Sequence, residues 1–110
     1  NMLFASFNWA NEMKTRSEVI DALSKHKPEL IDRFGVQSLA LFGSVGRDQA
    51  MPNSDVDVLV EFGRPTGLFG LSSLQIYLET LLGCTVDLGT PKGLKPRMRE
   101  RILAEKVNVI

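Results

Sequence analysis

The chain has 110 residues, 44% hydrophobic and 24% charged, which suits one globular domain and leaves no room for a second. Its 13 basic and 13 acidic side chains balance at neutral pH, so no whole-chain charge argues for nucleic-acid binding and only local patches matter. A single cysteine, Cys84, excludes a disulfide framework and a cysteine-rich zinc site, and no apolar run has the length of a bilayer span.

Residues 1–12 include Leu3, Phe4, Phe7 and Trp9 but lack the basic leader and continuous apolar stretch of a signal peptide. They read as a tag remnant or upstream extension before Met13, which puts the expected domain at residues 13–110 and the protein in the cytoplasm. Thr15 and Glu18 have the spacing of a capping box at a helix start. Val19, Ile20, Leu23, Leu30, Ile31 and Phe34 then recur on one helical face. Pro28 predicts a kink, or two short helices joined near Lys27, and Gly35 is a suitable left-handed stop.

Residues 38–42 form a short apolar run that reads as a buried strand, ending at Gly43-Ser44. The polar stretch that follows, with Pro52 and Asn53, reads as a loop. Residues 55–62 predict a second strand, residues 68–82 a helix stopped by Gly83, and residues 85–88 a third strand, with Cys84 a small buried residue at its start. A charged helix over residues 95–105 is expected to turn Leu94, Met98, Ile102 and Leu103 inward, and residues 107–110 can add a last strand. This order predicts an α+β architecture, a small mixed sheet with helices packed on it.

Asp55 and Asp57 are two apart on the second strand, so they project from one face about 6.6 Å apart along the chain. Val56, Val58, Val60 and Phe62 point the other way. Two carboxylates on an otherwise apolar strand are costly unless a cation neutralises them, and oxygen donors suit magnesium or manganese rather than zinc. Asp87, between Val86 and Leu88, is a candidate third carboxylate on a neighbouring strand, completing a cluster of the kind that holds two ions for phosphoryl chemistry. Gly43 at a strand end lets a phosphate approach the backbone, the Ser44 hydroxyl adds a donor, and Arg47, one turn on, can pair with phosphate oxygens. Gly-Ser followed by Asp-x-Asp at this spacing should arise by chance in roughly one chain in a hundred.

Residues 42–47, Phe-Gly-Ser-Val-Gly-Arg, followed by residues 53–60, Asn-Ser-Asp-Val-Asp-Val-Leu-Val, resemble the Gly-Ser, ten residues, Asp-x-Asp signature of the DNA polymerase beta-like nucleotidyltransferases. More narrowly the chain resembles the minimal nucleotidyltransferases, prokaryotic antitoxins partnered with HEPN-domain ribonuclease toxins. Residues 86–90 resemble that family's third-carboxylate strand, residues 97–105 its C-terminal helix, and the likeness covers roughly residues 15–110. The resemblance implies the polymerase beta-like fold and a site with two magnesium ions held by Asp55, Asp57 and Asp87. Asp87 would also help activate the acceptor hydroxyl, while Gly43 and Ser44 hold the nucleotide phosphates. It further implies transfer of AMP from ATP to a tyrosine of the HEPN toxin, as the antitoxin of a type VII-like pair. Alternatives are an antitoxin that neutralises by complex formation alone, or a nucleotidyltransferase acting on an RNA end. Gly46 stands where many relatives have alanine, and Asp48, where many have glycine, adds negative charge near the expected triphosphate.

Residues 92–106 hold six basic side chains against Glu100 and Glu105, and residues 55–87 hold five acidic ones against Arg64. That polarity reads first as a solvated helix face and second as a steering surface. His26 is expected on an exposed helix face, and Tyr77 has no expected catalytic role. Leu68, Phe69 and Leu71 fit either the core or an exposed patch for a partner.

Overall fold

The structure, a computed structural model, describes residues 15–47 and 55–110. The loop expected around Pro52 and Asn53, Asp48, and residues 1–12 with Met13 lie outside the described residues. Helix α1 (Arg16–Ser24) opens on the capping box: Glu18 N–H donates to Thr15 Oγ1 at 3.2 Å and Thr15 N–H donates to Glu18 Oε1 at 2.9 Å. Helix α2 (Lys27–Phe34) is separate from α1 and takes Pro28 into its first turn, where the missing N–H has no intrahelical partner to lose. Strand β1 (Val36–Phe42) runs into a four-residue helical turn, α3 (Gly43–Gly46), and strand β2 spans Val56–Phe62. Helix α4 (Gly67–Leu82) ends on Gly83 in the left-handed conformation, followed by β3 (Val86–Gly89), a 3-10 turn (Pro91–Gly93), α5 (Pro96–Glu105) and β4 (Val107–Asn108).

The strand order is β3-β2-β1-β4. β1 pairs antiparallel with β2 and β4, whereas β2 and β3 run parallel because α4 carries the chain back across the sheet. The sheet is therefore mixed. On one face Leu39, Leu41, Val56, Val58, Val60 and Val86 meet Val19, Leu23, Leu30, Phe34, Leu74, Leu78 and Leu82 from α1, α2 and α4 in one core. Burying each such side chain stabilises the fold by about 1.5–3 kcal/mol before entropy is counted. Phe62, Leu71, Tyr77 and Cys84 pack half-buried around that core. Strand alternation puts Phe42, Asp57 and Asp87 on the other face.

Two expectations about side chains are corrected, and one left open between core and surface is decided. His26 is half-buried, its Nδ1 2.9 Å from the Ala22 carbonyl oxygen and its ring edge-on to Tyr77, because it sits at the junction of α1 and α2 against α4. Leu68 and Phe69 are 81% and 91% exposed, and only Leu71 of that group joins the core. Met98 and Leu103 are 47% and 39% exposed rather than inward, and no residue of α5 is fully buried. α5 contributes to a cleft instead of a core.

Candidate active site

Asp57 and Asp87 are register partners on the parallel pair β2 and β3, which puts their backbones about 4.8 Å apart. Phe42, the last residue of β1, is the partner of Asp57 on its other side. The expected alignment of carboxylates across neighbouring strands is thus met by two of the three residues. Asp55 precedes β2 and is exposed, close enough for its charge to act on Asp57. Burial, first, then the negative charges of Asp87 and Asp55 and a hydrogen bond with the Asp87 side chain push the Asp57 carboxyl up to about 6, against the pull of the Arg47 cation. Two carboxyls this close repel when both are ionised, and a cation beside them would relieve that repulsion.

The turn after β1 is fitted closely to this pair. Gly43 has φ +67°, and a Cβ there would collide with Asp57 Oδ2. Glycine is required on both counts, for the left-handed backbone and for the close approach of the carboxylate. The first N–H groups of a helical turn have no acceptor within it, so α3 offers donors near the carboxylates. The turn is pinned from below by Val45, which is buried in the core, and from the side by Arg16, which donates to the Gly46 carbonyl at 3.3 Å. Gly46 lies so close to β1 that a Cβ would stand 3.0 Å from the Leu41 carbonyl oxygen, a tight contact for any side chain.

A cleft of about 380 Å³ opens over this face. Phe42, Gly43 and Arg47 line one side and Asp57 and Asp87 its floor. Ser44 is half-buried on the turn, and neither it nor Asp55 is among the lining residues. The opposite wall is α5, through Arg97, Met98, Arg101, Ile102 and Glu105. The helix was expected to turn Met98 and Ile102 inward and to keep its basic side chains in solvent, so its five cleft-lining positions were not placed at the site. The available signal was their spacing, since positions 97, 98, 101, 102 and 105 fall on one helical face.

The donor set fits a hard divalent cation. Among the described residues no three histidines, cysteines, aspartates or glutamates gather around one point, so the protein does not supply a complete cage. Two adjacent carboxylates on a half-open face match magnesium, which typically takes one or two carboxylates and fills its remaining positions with water and substrate phosphate oxygens. Among the described residues no helix is long and apolar enough to cross a membrane.

Residues 23–109 match the nucleotidyltransferase domain family. Protein adenylyltransferase MntA of Thermococcus cleftensis is 42% identical over 97 residues, covering 88% of this chain and 98% of that protein. A solved structure described as a minimal nucleotidyltransferase superposes with a TM-score of 0.72 at 36% identity, over 86% of this chain and 95% of the other. The complex of a tri-AMPylated HEPN toxin with an MNT antitoxin from Shewanella oneidensis matches with a TM-score of 0.62 over 87% of this chain and 72% of the other. At 17% identity that likeness shows the shared fold alone. With its register-matched aspartates, its glycine turn and its four-stranded mixed sheet, this chain belongs to the nucleotidyltransferase domain family, among the minimal nucleotidyltransferases.

Proposed function

We propose that this nucleotidyltransferase acts in the cytoplasm as an antitoxin, transferring AMP from ATP to a tyrosine hydroxyl of a HEPN-domain toxin. The observation that carries this reading is the Asp57–Asp87 pair set against Gly43 in a cleft walled by arginines, in a chain 42% identical to a protein adenylyltransferase. The Thermococcus relative is named for transfer of adenylate to protein, and the Shewanella complex holds an AMPylated HEPN toxin beside its antitoxin.

In this mechanism Asp57 and Asp87, with Asp55 at the strand's leading end, would hold magnesium, with manganese as an acceptable substitute. Bound magnesium would neutralise phosphate charge and polarise the α-phosphorus. Gly43 and Ser44 present the backbone and hydroxyl donors of the turn to the phosphates, and Arg47 adds paired hydrogen bonds. The tyrosine oxygen forms a bond to the α-phosphorus as the bond to the β-phosphate oxygen breaks, pyrophosphate leaves, and the phenolic proton passes to a carboxylate oxygen of Asp87. Most of the acceleration comes from positioning and charge stabilisation, since the protein forms no covalent bond itself.

The deciding experiment incubates the protein with labelled ATP, magnesium and the product of the neighbouring gene, then measures the mass of that partner. Added AMP on a tyrosine, lost in Asp57→Ala/Asp87→Ala, is the expected outcome; an unmodified partner in the presence of active toxin overturns it. A second reading, neutralisation by complex formation, is favoured by the exposure of Leu68 and Phe69, which suits a contact surface.

A further inference from the structure

The five cleft residues of α5 divide by chemistry. Met98 and Ile102 are apolar, whereas Arg97 and Arg101, one turn apart, bring two guanidinium groups to a site whose floor is acidic. Arg101 Nε lies 3.5 Å from Glu105 Oε1, one turn further along, in a pair whose side chains are 70% and 45% exposed. An ion pair this exposed is worth little and exchanges readily for a better anion. Arg97 makes no ion pair among the described residues. Arg99 points elsewhere, donating to the Lys92 and Leu94 carbonyls at 3.4 and 3.3 Å, so the cationic wall is built from positions 97 and 101 specifically.

The anion that fits is a polyphosphate. An acidic peptide would meet the Asp57–Asp87 pair without compensation, whereas a polyphosphate arrives with the divalent cation that this pair needs. A planar guanidinium donates two parallel hydrogen bonds to phosphate oxygens, and with Arg47 on the facing turn the cleft presents three such groups, more than one monophosphate can engage. In adenylate transfer the departing pyrophosphate gains charge as its bond to the α-phosphate breaks, and fixed cations placed there lower the barrier.

We propose that Arg97 and Arg101 of α5 bind the β- and γ-phosphates of the nucleotide, the part that leaves as pyrophosphate, and that Glu105 holds Arg101 in position until nucleotide displaces it. This rests on the nucleotide reading above and assigns the leaving-group side of the cleft to α5.

The test is binding of ATP, AMP and pyrophosphate in magnesium to the parent protein, Arg97→Gln, Arg101→Gln, Arg101→Lys and Glu105→Gln, measured by calorimetry. Each Arg→Gln change should weaken ATP and pyrophosphate about tenfold or more, the scale of a lost charge-assisted contact, while AMP shifts less than about twofold. Arg101→Lys should recover part of the loss, and Glu105→Gln should tighten ATP about two- to threefold by freeing Arg101. Equal losses for ATP and AMP would overturn the assignment, because the arginines would then act on the fold or the nucleoside. Variants that bind ATP like the parent yet fail to modify the partner would move α5 to the acceptor side and overturn it while sparing the nucleotide reading. A parent protein that binds none of the three probes would sink both.

Discussion

Asp57 is the described carboxyl pushed furthest from its ordinary range. Its carboxyl, about 6 in the folded chain against an ordinary 3.8, holds its proton more tightly folded than unfolded. That contribution to stability is therefore full below about pH 4, is lost as pH rises toward 6, and stays absent above. In metal-free buffer Asp57→Asn should melt higher than the parent at pH 7.5 and close to it at pH 4, and magnesium should close the gap at pH 7.5. Thermal melts across that range check this, and a parent–variant difference that does not change with pH would contradict it. Gly43 carries a second prediction. Gly43→Val forces a branched residue into φ +67° and its Cβ onto Asp57 Oδ2, so ATP binding should be lost, with a backbone cost of about 1–2 kcal/mol or more. Ser44→Ala keeps the backbone and should weaken ATP by about 1.5–3 kcal/mol, the range for a hydrogen bond to a charged group. Calorimetric titration separates the two, and parent-like binding by Gly43→Val would remove the turn from the phosphate site.

Among the elements, α2 and α4 are joined by more than apolar packing. Tyr77 donates to Glu29 Oε2 at 2.9 Å, and Arg33 donates to Glu29 Oε1 at 3.0 Å while its guanidinium stacks 4.9 Å over Phe34 and 5.8 Å over Tyr77. The Tyr77 hydrogen bond, then Arg33, holds the Glu29 carboxyl below the usual carboxylate range. Tyr77→Phe should cost about 0.5–1.5 kcal/mol in denaturant unfolding and leave transfer unchanged, since the hydroxyl lies on the helical side of the sheet, away from the cleft. Leu78→Ala, fully buried in the same layer, should cost about 2–5 kcal/mol. A drop in nucleotide affinity in Tyr77→Phe would show that the layer transmits strain to the site. The boundaries of α1, α2 and α4 were legible because local rules set them: a capping box, a proline and glycine stops act within a turn of the residue itself. α5 was misjudged because half-apolar helices look alike in sequence whether they cover a core or overlook a cleft.

At the scale of the whole molecule, the two most exposed large apolar side chains among the described residues, Leu68 and Phe69, lie apart from the cleft. The carboxylates and the glycine turn line the cleft, whereas Leu68 and Phe69 protrude from the start of α4 and are not among its lining residues. If the proposed function holds, the Asp57→Ala/Asp87→Ala double variant should still bind a HEPN-domain toxin while failing to protect cells, and toxin recovered from them should lack AMP on its tyrosine. Phe69→Ser should do the reverse, weakening the complex in a pull-down without altering ATP affinity. Protection by the double variant at equal expression, with unmodified toxin, would favour neutralisation by complex formation.

Part of the candidate site was legible in one dimension. Gly43 at a strand end and a carboxylate pair two residues apart on an apolar strand are short-range patterns, and their joint rarity carried the family resemblance. Asp87 needed the parallel pairing of β2 with β3, which a chain can form only after α4 has crossed the sheet, so its place opposite Asp57 was an inference from sequence and a register fact in the fold. Arg97 and Arg101 depended on where α5 comes to rest, about 40 residues beyond Asp57. Local patterns encode which residues can do chemistry. Long-range packing decides which of them share a cleft, because the free energy that places a helix comes from contacts with residues that are distant in sequence.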